Sequence, residues 1–374
     1  MTKTPKVALI HDWFTVDGGA EKVFKEIHLM YPDADVFSLI DFLNAEDREN
    51  ILLGKKSNVS VIQHFPLSKK YYRYYLPWFP YAIEQLNLDK YDLVISSSYA
   101  VAKGILTNTT QTHICYCHSP MRYLWDLYFS YIMKSKWYNF PVAFLMRNYI
   151  SKLRQWDVIS SNRVDHFISN SKNISERIQK VYRRDSKVIY PPINVDAFNI
   201  AEEKEDYFVT ASRLVPYKKV DIIVKAFTKM PDKKLIVVGD GPEFTKLQKI
   251  SSGYANISLT GYISSSELEK TIARSTAFIN ASNEDFGIAP VEAQACGVPI
   301  IAYAKGGILE TTVENKTAVY YHEQDSNSIV EAVKLFEKTT LDSPLEIRNF
   351  ALKFKREHFR SEFEKFIQEC TSKG

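Results

Sequence analysis

Short runs rich in β-branched and aromatic residues alternate with stretches of helical period along the whole chain, and turn residues punctuate nearly every junction. That alternation selects parallel βα units over a sandwich or a bundle, because a strand that returns parallel to its predecessor needs a helical crossover. The first half reads as strands at residues 6–12, 92–98, 112–118, 165–171 and 187–190. The second half reads the same way at 207–212, 234–239, 256–261, 277–281, 299–303 and 317–320. The predicted class is therefore α/β, with two Rossmann-like doubly wound parallel-sheet domains facing a central cleft.

Length supports the split, since 374 residues exceed the roughly 250–300 at which one hydrophobic core stops growing. Pro191-Pro192 and the charged run up to Asp206 break both periods. The expected organisation is an N-terminal, acceptor-side domain over 1–190, a linker over 191–206, a C-terminal, nucleotide-sugar-binding domain over 207–344 and a helical segment over 345–374 that packs back on the first domain. Ser264 to Glu267 offers a capping box for a helix.

The formal net charge of +4 is too small to argue for a nucleic-acid partner. The four cysteines, Cys115, Cys117, Cys296 and Cys370, lack zinc-knuckle spacing and are few for a disulfide scaffold, so a reducing cytoplasm is expected. The polar start and the lack of a long apolar run predict neither a signal peptide nor a membrane-spanning helix.

Four segments carry the chemistry. In Glu284-Asp285-Phe286-Gly287-Ile288-Ala289-Pro290-Val291-Glu292, a strand gives way to a short helix, and Pro290 suits the first helical turn. Amides from Phe286 to Ala289 at such a helix start make a site for a diphosphate. Glu284 and Glu292 flank the turn, one suited to a ribose diol and the other to a sugar hydroxyl or a developing positive charge. Solvated helix-end charges are the simpler account of an isolated glutamate pair.

The second segment, Ser212-Arg213-Leu214-Val215-Pro216-Tyr217-Lys218, puts two cations after the first strand of the second half. There Arg213 and Lys218 can neutralise a diphosphate, although a basic surface loop reads the same way in isolation. Third, Gly18 and Gly19 join the first strand to a helix and permit close backbone approach to a phosphate or sugar, without the G-x-G-x-x-G spacing of a dehydrogenase. Fourth, His118-Ser119-Pro120 ends another strand at the same edge. No D-x-D pair, metal-ligand spacing or Walker loop is present, and neither a metal nor a cofactor beyond the donor substrate is expected.

Taken together these segments resemble glycosyltransferase family 4, retaining enzymes of the GT-B fold, over nearly the whole chain. His11-Asp12-Trp13 with Gly18-Gly19-Ala20-Glu21-Lys22, His118 to Asp126, and Val215 to Asp221 are more narrowly similar to the WbaZ-like bacterial mannosyltransferases. The resemblance implies GDP-mannose as donor, with Arg213 and Lys218 on the diphosphate, Glu292 on the ribose and Glu284 on the donor sugar. It also implies amides of Phe286, Gly287 and Ile288 on sugar and phosphate, Gly18 and Gly19 beside the diphosphate, His118 near the transferred sugar, and Gly261 and Tyr262 near the base. Gly306, Gly307 and Glu310 match a further helix-start motif whose role stays open. Tyr217 and Asn194 depart from the family pattern, which has glutamate and aspartate there.

Residues 69–81 and 121–156 mix basic and aromatic side chains, Trp125, Trp137 and Trp156 among them. Such a surface suits an anionic bilayer or a lipid diphosphate, with a buried aromatic core as the competing account. The expected acceptor is a polyprenyl-diphosphate-linked saccharide in surface polysaccharide or O-antigen assembly, met by peripheral contact at the inner face of the cell membrane. A GT-B nucleotide-sugar epimerase and a non-catalytic nucleotide-sugar-binding protein are the alternatives.

Overall fold

The computed structural model describes residues 5–129 and 141–372. The chain divides into two compact units, one of Met1–Pro192 with Phe359–Gly374 and the other of Ile193–His358.

The strands of the first unit are β1 (Val7–His11), β2 (Asp35–Ser38), β3 (Asn58–Val59), β4 (Leu93–Ser98), β5 (Thr112–Cys117), β6 (His166–Ser169) and β7 (Ser186–Val188). They pair in parallel in the order β3-β2-β1-β4-β5-β6-β7. Side chains alternate across this sheet: Ala8 and Ile10 join one buried cluster with Phe37 and Val94, while Leu9 joins another with Val36, Leu93 and Ile95. Both faces are thus covered, as parallel sheets require. The helix Gly19–Met30 buries Val23, Phe24 and Ile27 along one stripe. Phe359, Phe363 and Ile367 of the helix Arg356–Thr371 enter the same cluster as Leu9, and Arg360 clamps the buried Glu26 at 2.6 and 2.9 Å.

In the second unit β8 (Phe208–Ala211), β9 (Leu235–Val238), β10 (Ile257–Gly261), β11 (Ala277–Asn280), β12 (Ile300–Tyr303) and β13 (Ala318–Tyr321) form a parallel sheet in the order β10-β9-β8-β11-β12-β13. Phe208, Ala277 and Ile279 face one cluster; Val209, Ala211 and Phe278 face the other. Ser264 caps its helix as the sequence predicts, with both halves of the capping box formed. Residues 193–206 are fastened to this unit: the Ile193 N–H donates to the Phe354 carbonyl and the Glu205 N–H to the Arg274 carbonyl.

Both sheets reverse strand order beside their first strand, at β1/β4 and at β8/β11. Open α/β sheets bind ligands outside the carboxyl ends of the strands at such a switch point.

Candidate active site

In the second unit, β8 and β11 are hydrogen-bonded neighbours, so the segments that leave their carboxyl ends emerge side by side. The loop after β8 coils into the single turn Pro216–Lys218, and Lys219 closes it in the left-handed region at φ 57°. From that turn Lys218 Nζ reaches both oxygens of Glu284, at 2.7 and 2.8 Å, across 66 residues of sequence. Ser282 donates a second hydrogen bond to the same carboxylate. Burial opposes the charge on Lys218, yet the Glu284 carboxylate more than offsets it and holds the ammonium pKa above its ordinary value. Arg213 lies exposed on the same loop.

Glu284 leads into the helix Ile288–Ala295, whose N-cap is Gly287 at φ 100°. A side chain there would be strained, while glycine adopts the turn freely. The first amides of such a helix have no intrahelical partner and carry its positive dipole end. Phe286 is buried and packs against Phe354, leaving only its backbone for a ligand. Glu292 is buried within the helix.

Gly306 and Gly307 acquire a physical role. The Gly307 N–H donates to the Glu284 carbonyl at 2.8 Å, and a Cβ on Gly306 would lie 2.2 Å from Asn283 Oδ1 and 2.4 Å from the Glu284 carbonyl. A Cβ on Gly307 would meet the Asp285 carbonyl at 2.5 Å. The pair is a seat on which the Glu284 loop rests, and only glycine allows the contact.

Sequence reasoning missed a second seat, Gly239-Asp240-Gly241 after β9. The Asp240 carbonyl accepts from the Leu214 N–H, and Cβ atoms on Gly239 and Gly241 would meet the Ser212 and Leu214 carbonyls at 2.0 and 2.5 Å. The two glycines before Pro242 were a legible turn signal. Gly261 and Tyr262 lie at the end of β10, an edge strand separated from β8 by β9, and Tyr262 is 84% exposed. The structure thus brings Lys218, Glu284 and the helix start together and leaves Gly261 and Tyr262 out of contact with them.

The corresponding edge of the first unit is built differently. Asp12 is fully buried, and its carboxylate accepts four backbone N–H groups, from Tyr99, Ala100, Val101 and Ala102, at 2.6–3.0 Å. It pins the turn after β4 to the end of β1. Next to it His11 Nδ1 lies 3.1 Å from both the carbonyl and the hydroxyl of Ser97, and His11 Nε2 lies 3.4 Å from Glu21. Ser97 Oγ in turn is 2.8 Å from His118 Nε2. Burial, together with the neighbouring His11, pushes the His118 pKa down to about 3, so the ring is neutral. Gly18 is the N-cap of the helix Gly19–Met30 in extended conformation. Its lack of a side chain makes room for Glu21: a Cβ would lie 2.7 Å from Glu21 Oε2.

Among the described residues no group of three or more His, Cys, Asp or Glu side chains is placed to hold a metal ion, and no helix is long and apolar enough to cross a membrane. The expected aromatic surface divides. Tyr72 and Phe79 are core, whereas Leu67, Tyr71, Tyr74, Trp78 and Tyr81 are exposed beside Lys69, Lys70 and Arg73. In the second stretch Trp125 and Trp156 pack against the core, Phe129 is exposed, and Trp137 with Lys134 and Lys136 lies outside the described residues.

Known proteins share this arrangement. Residues 194–354 match the family described as Glycosyl transferases group 1, and residues 18–197 match Glycosyltransferase Family 4. A GDP-mannose-dependent alpha-(1-6)-phosphatidylinositol monomannoside mannosyltransferase of Mycolicibacterium smegmatis is 34% identical over 140 residues, 33% of this chain and 37% of that protein. The O-antigen chain mannosyltransferase RfbU of Salmonella typhimurium is 26% identical over 210 residues, 54% of this chain and 58% of its own length. The matched stretch thus spans about a third to just over half of these curated relatives. Among solved structures, Anabaena HepE in complex with UDP and glucose superposes with a TM-score of 0.74 at 18% identity, over 98% of this chain and all of that one.

Proposed function

The chain belongs to glycosyltransferase family 4, and from that premise we propose that it transfers a hexose from a nucleotide diphosphate with retention of anomeric configuration. One observation carries the reading: Lys218 and Glu284 meet at the switch point of the second sheet, beside the start of the helix Ile288–Ala295. A diphosphate placed there finds an ammonium, the Arg213 guanidinium on the same loop and a positive helix end, so cationic side chains take the role a metal ion plays elsewhere. Glu292 serves the ribose and Glu284 the sugar.

In the proposed step the bond between the anomeric carbon and the diphosphate oxygen breaks while the acceptor oxygen attacks from the same face. The acceptor proton passes to the departing phosphate oxygen. Lys218 and Arg213 stabilise the charge that builds on the diphosphate, and Glu284 the positive charge on the sugar.

The donor we propose is GDP-mannose, supported by the subgroup motifs and by the mannosyltransferases among the relatives. The acceptor is a polyprenyl-diphosphate-linked saccharide of surface polysaccharide assembly, reached from the cytoplasmic side of the membrane. The exposed rings and cations of residues 67–81 support that contact. Incubation with GDP-mannose and such an acceptor should give a product with the donor's anomeric configuration, and Glu284→Ala should abolish most of it without unfolding the chain. An inverted product refutes retention, and an epimerised donor formed without acceptor identifies an epimerase instead. Failure to cosediment with anionic vesicles at low salt removes the membrane contact.

A further inference from the structure

We propose that Ser97 and His11 are positioning residues that lock His118 in the tautomer with its proton on Nδ1, so that His118 meets a ligand oxygen as a hydrogen-bond donor. The argument is an inventory of hydrogens. The Ser97 carbonyl can only accept, so His11 Nδ1, 3.1 Å away, must carry a proton. That proton also lies 3.1 Å from the Ser97 hydroxyl, which therefore accepts from His11. The hydroxyl has one hydrogen left to give, and its remaining partner is His118 Nε2 at 2.8 Å. A ring that accepts at Nε2 and is neutral carries its hydrogen on Nδ1.

Packing keeps the chain of bonds in place. His11 and Ser97 are buried on the paired strands β1 and β4, where Cα partners put them in register. Phe14 stacks on the His11 ring at 4.8 Å between centroids, and Tyr116 flanks His118 at 5.1 Å. Asn170 donates to the His118 carbonyl at 3.0 Å and fixes the backbone beneath the ring. At the far end His11 Nε2 faces Glu21, the acid of the Gly18-Gly19-Ala20-Glu21 segment, which explains why a motif around the first helix accompanies a histidine from β5. No described residue bonds His118 Nδ1, so its hydrogen is available to a hydroxyl or phosphoryl oxygen. For catalysis this rests on the reading of His118 as a donor-site residue; for the tautomer it does not.

Long-range proton–nitrogen correlation spectra of the full chain labelled with ¹⁵N-histidine decide the matter, His118→Gln assigning the signal by its loss. The wild type should show His118 protonated on Nδ1. Ser97→Ala, which removes the only donor to Nε2, should shift the ring toward the Nε2-protonated form and lower kcat/KM about tenfold, with Ser97→Thr restoring both. A wild-type spectrum with the proton on Nε2 overturns the proposal even if Ser97→Ala fails to fold, and so does an unchanged tautomer in a folded Ser97→Ala. Absence of transfer activity with an Nδ1-protonated ring counts against the proposed function and leaves the tautomer assignment standing.

Discussion

At the switch point of the first sheet the polar side chains of His11, Ser97 and His118 are buried, and the reactive ring among them is held neutral. At the switch point of the second sheet stand Lys218, Glu284 and Arg213, and the ammonium is held charged. Strand order is the same on both sides, so topology alone did not choose this chemistry. A pyrophosphate needs charge opposite it, whereas a sugar hydroxyl needs a donor of fixed direction; the two edges are equipped for one task each.

Acid separates them most strongly. Burial depresses His118 to about 3 and His113 to about 4, and lowers His28 as well, all in the first unit. The histidines of the second unit, His322 and His358, are exposed. Below pH 6.5 the unfolded first unit takes up protons that the folded one refuses, so stability is full above that pH and drains away as pH falls toward 4. Each of His113 and His118 should remove roughly 3 kcal/mol by pH 4, at 1.36 kcal/mol per pH unit. Hydrogen exchange at pH 4.5, corrected for intrinsic rates, should show the first unit opening before the second; the reverse order breaks the contrast.

Lys218→Ala should lower kcat about 10²–10³-fold, the range for removing a group that stabilises transition-state charge. Circular dichroism should stay near wild type, because the side chain bridges a loop and not a core. Gly306→Ala comes next. Its Cβ cannot coexist with Asn283 Oδ1 and the Glu284 carbonyl where they stand, and its φ of 83° is strained for any other residue. A fall of about tenfold in transfer and a loss of about 1–3 kcal/mol in chemical denaturation are expected. Arg213→Ala, on an exposed side chain, should be the mildest, raising KM for the donor a few-fold with kcat nearly unchanged.

The sequence showed much of this for local reasons. Every strand from β4 onward lies on a run bounded by turn residues. β2 and β3 were missed because Asp35–Ser38 opens on an exposed acid and Asn58–Val59 has only two residues, too short for any period to register. Glu284, Glu292, Lys218 and Arg213 were legible because each belongs to a compact motif. Their mutual arrangement was not. Lys218 and Glu284 meet across 66 residues, His11 and Ser97 across 86, and Ser97 lies in a run of serines with nothing to distinguish it. Gly306 and Gly307 looked like a helix start, and their service to the Glu284 loop appears only when β11 and β12 lie side by side.

Calorimetric titration of a panel of nucleoside diphosphates against wild type and Lys218→Ala tests the charged edge most directly. The account predicts that guanosine diphosphate binds the wild type and that Lys218→Ala weakens it at least about tenfold, the worth of one charge-assisted contact. Equal affinity in the two proteins, or no nucleoside diphosphate bound by the wild type, contradicts it.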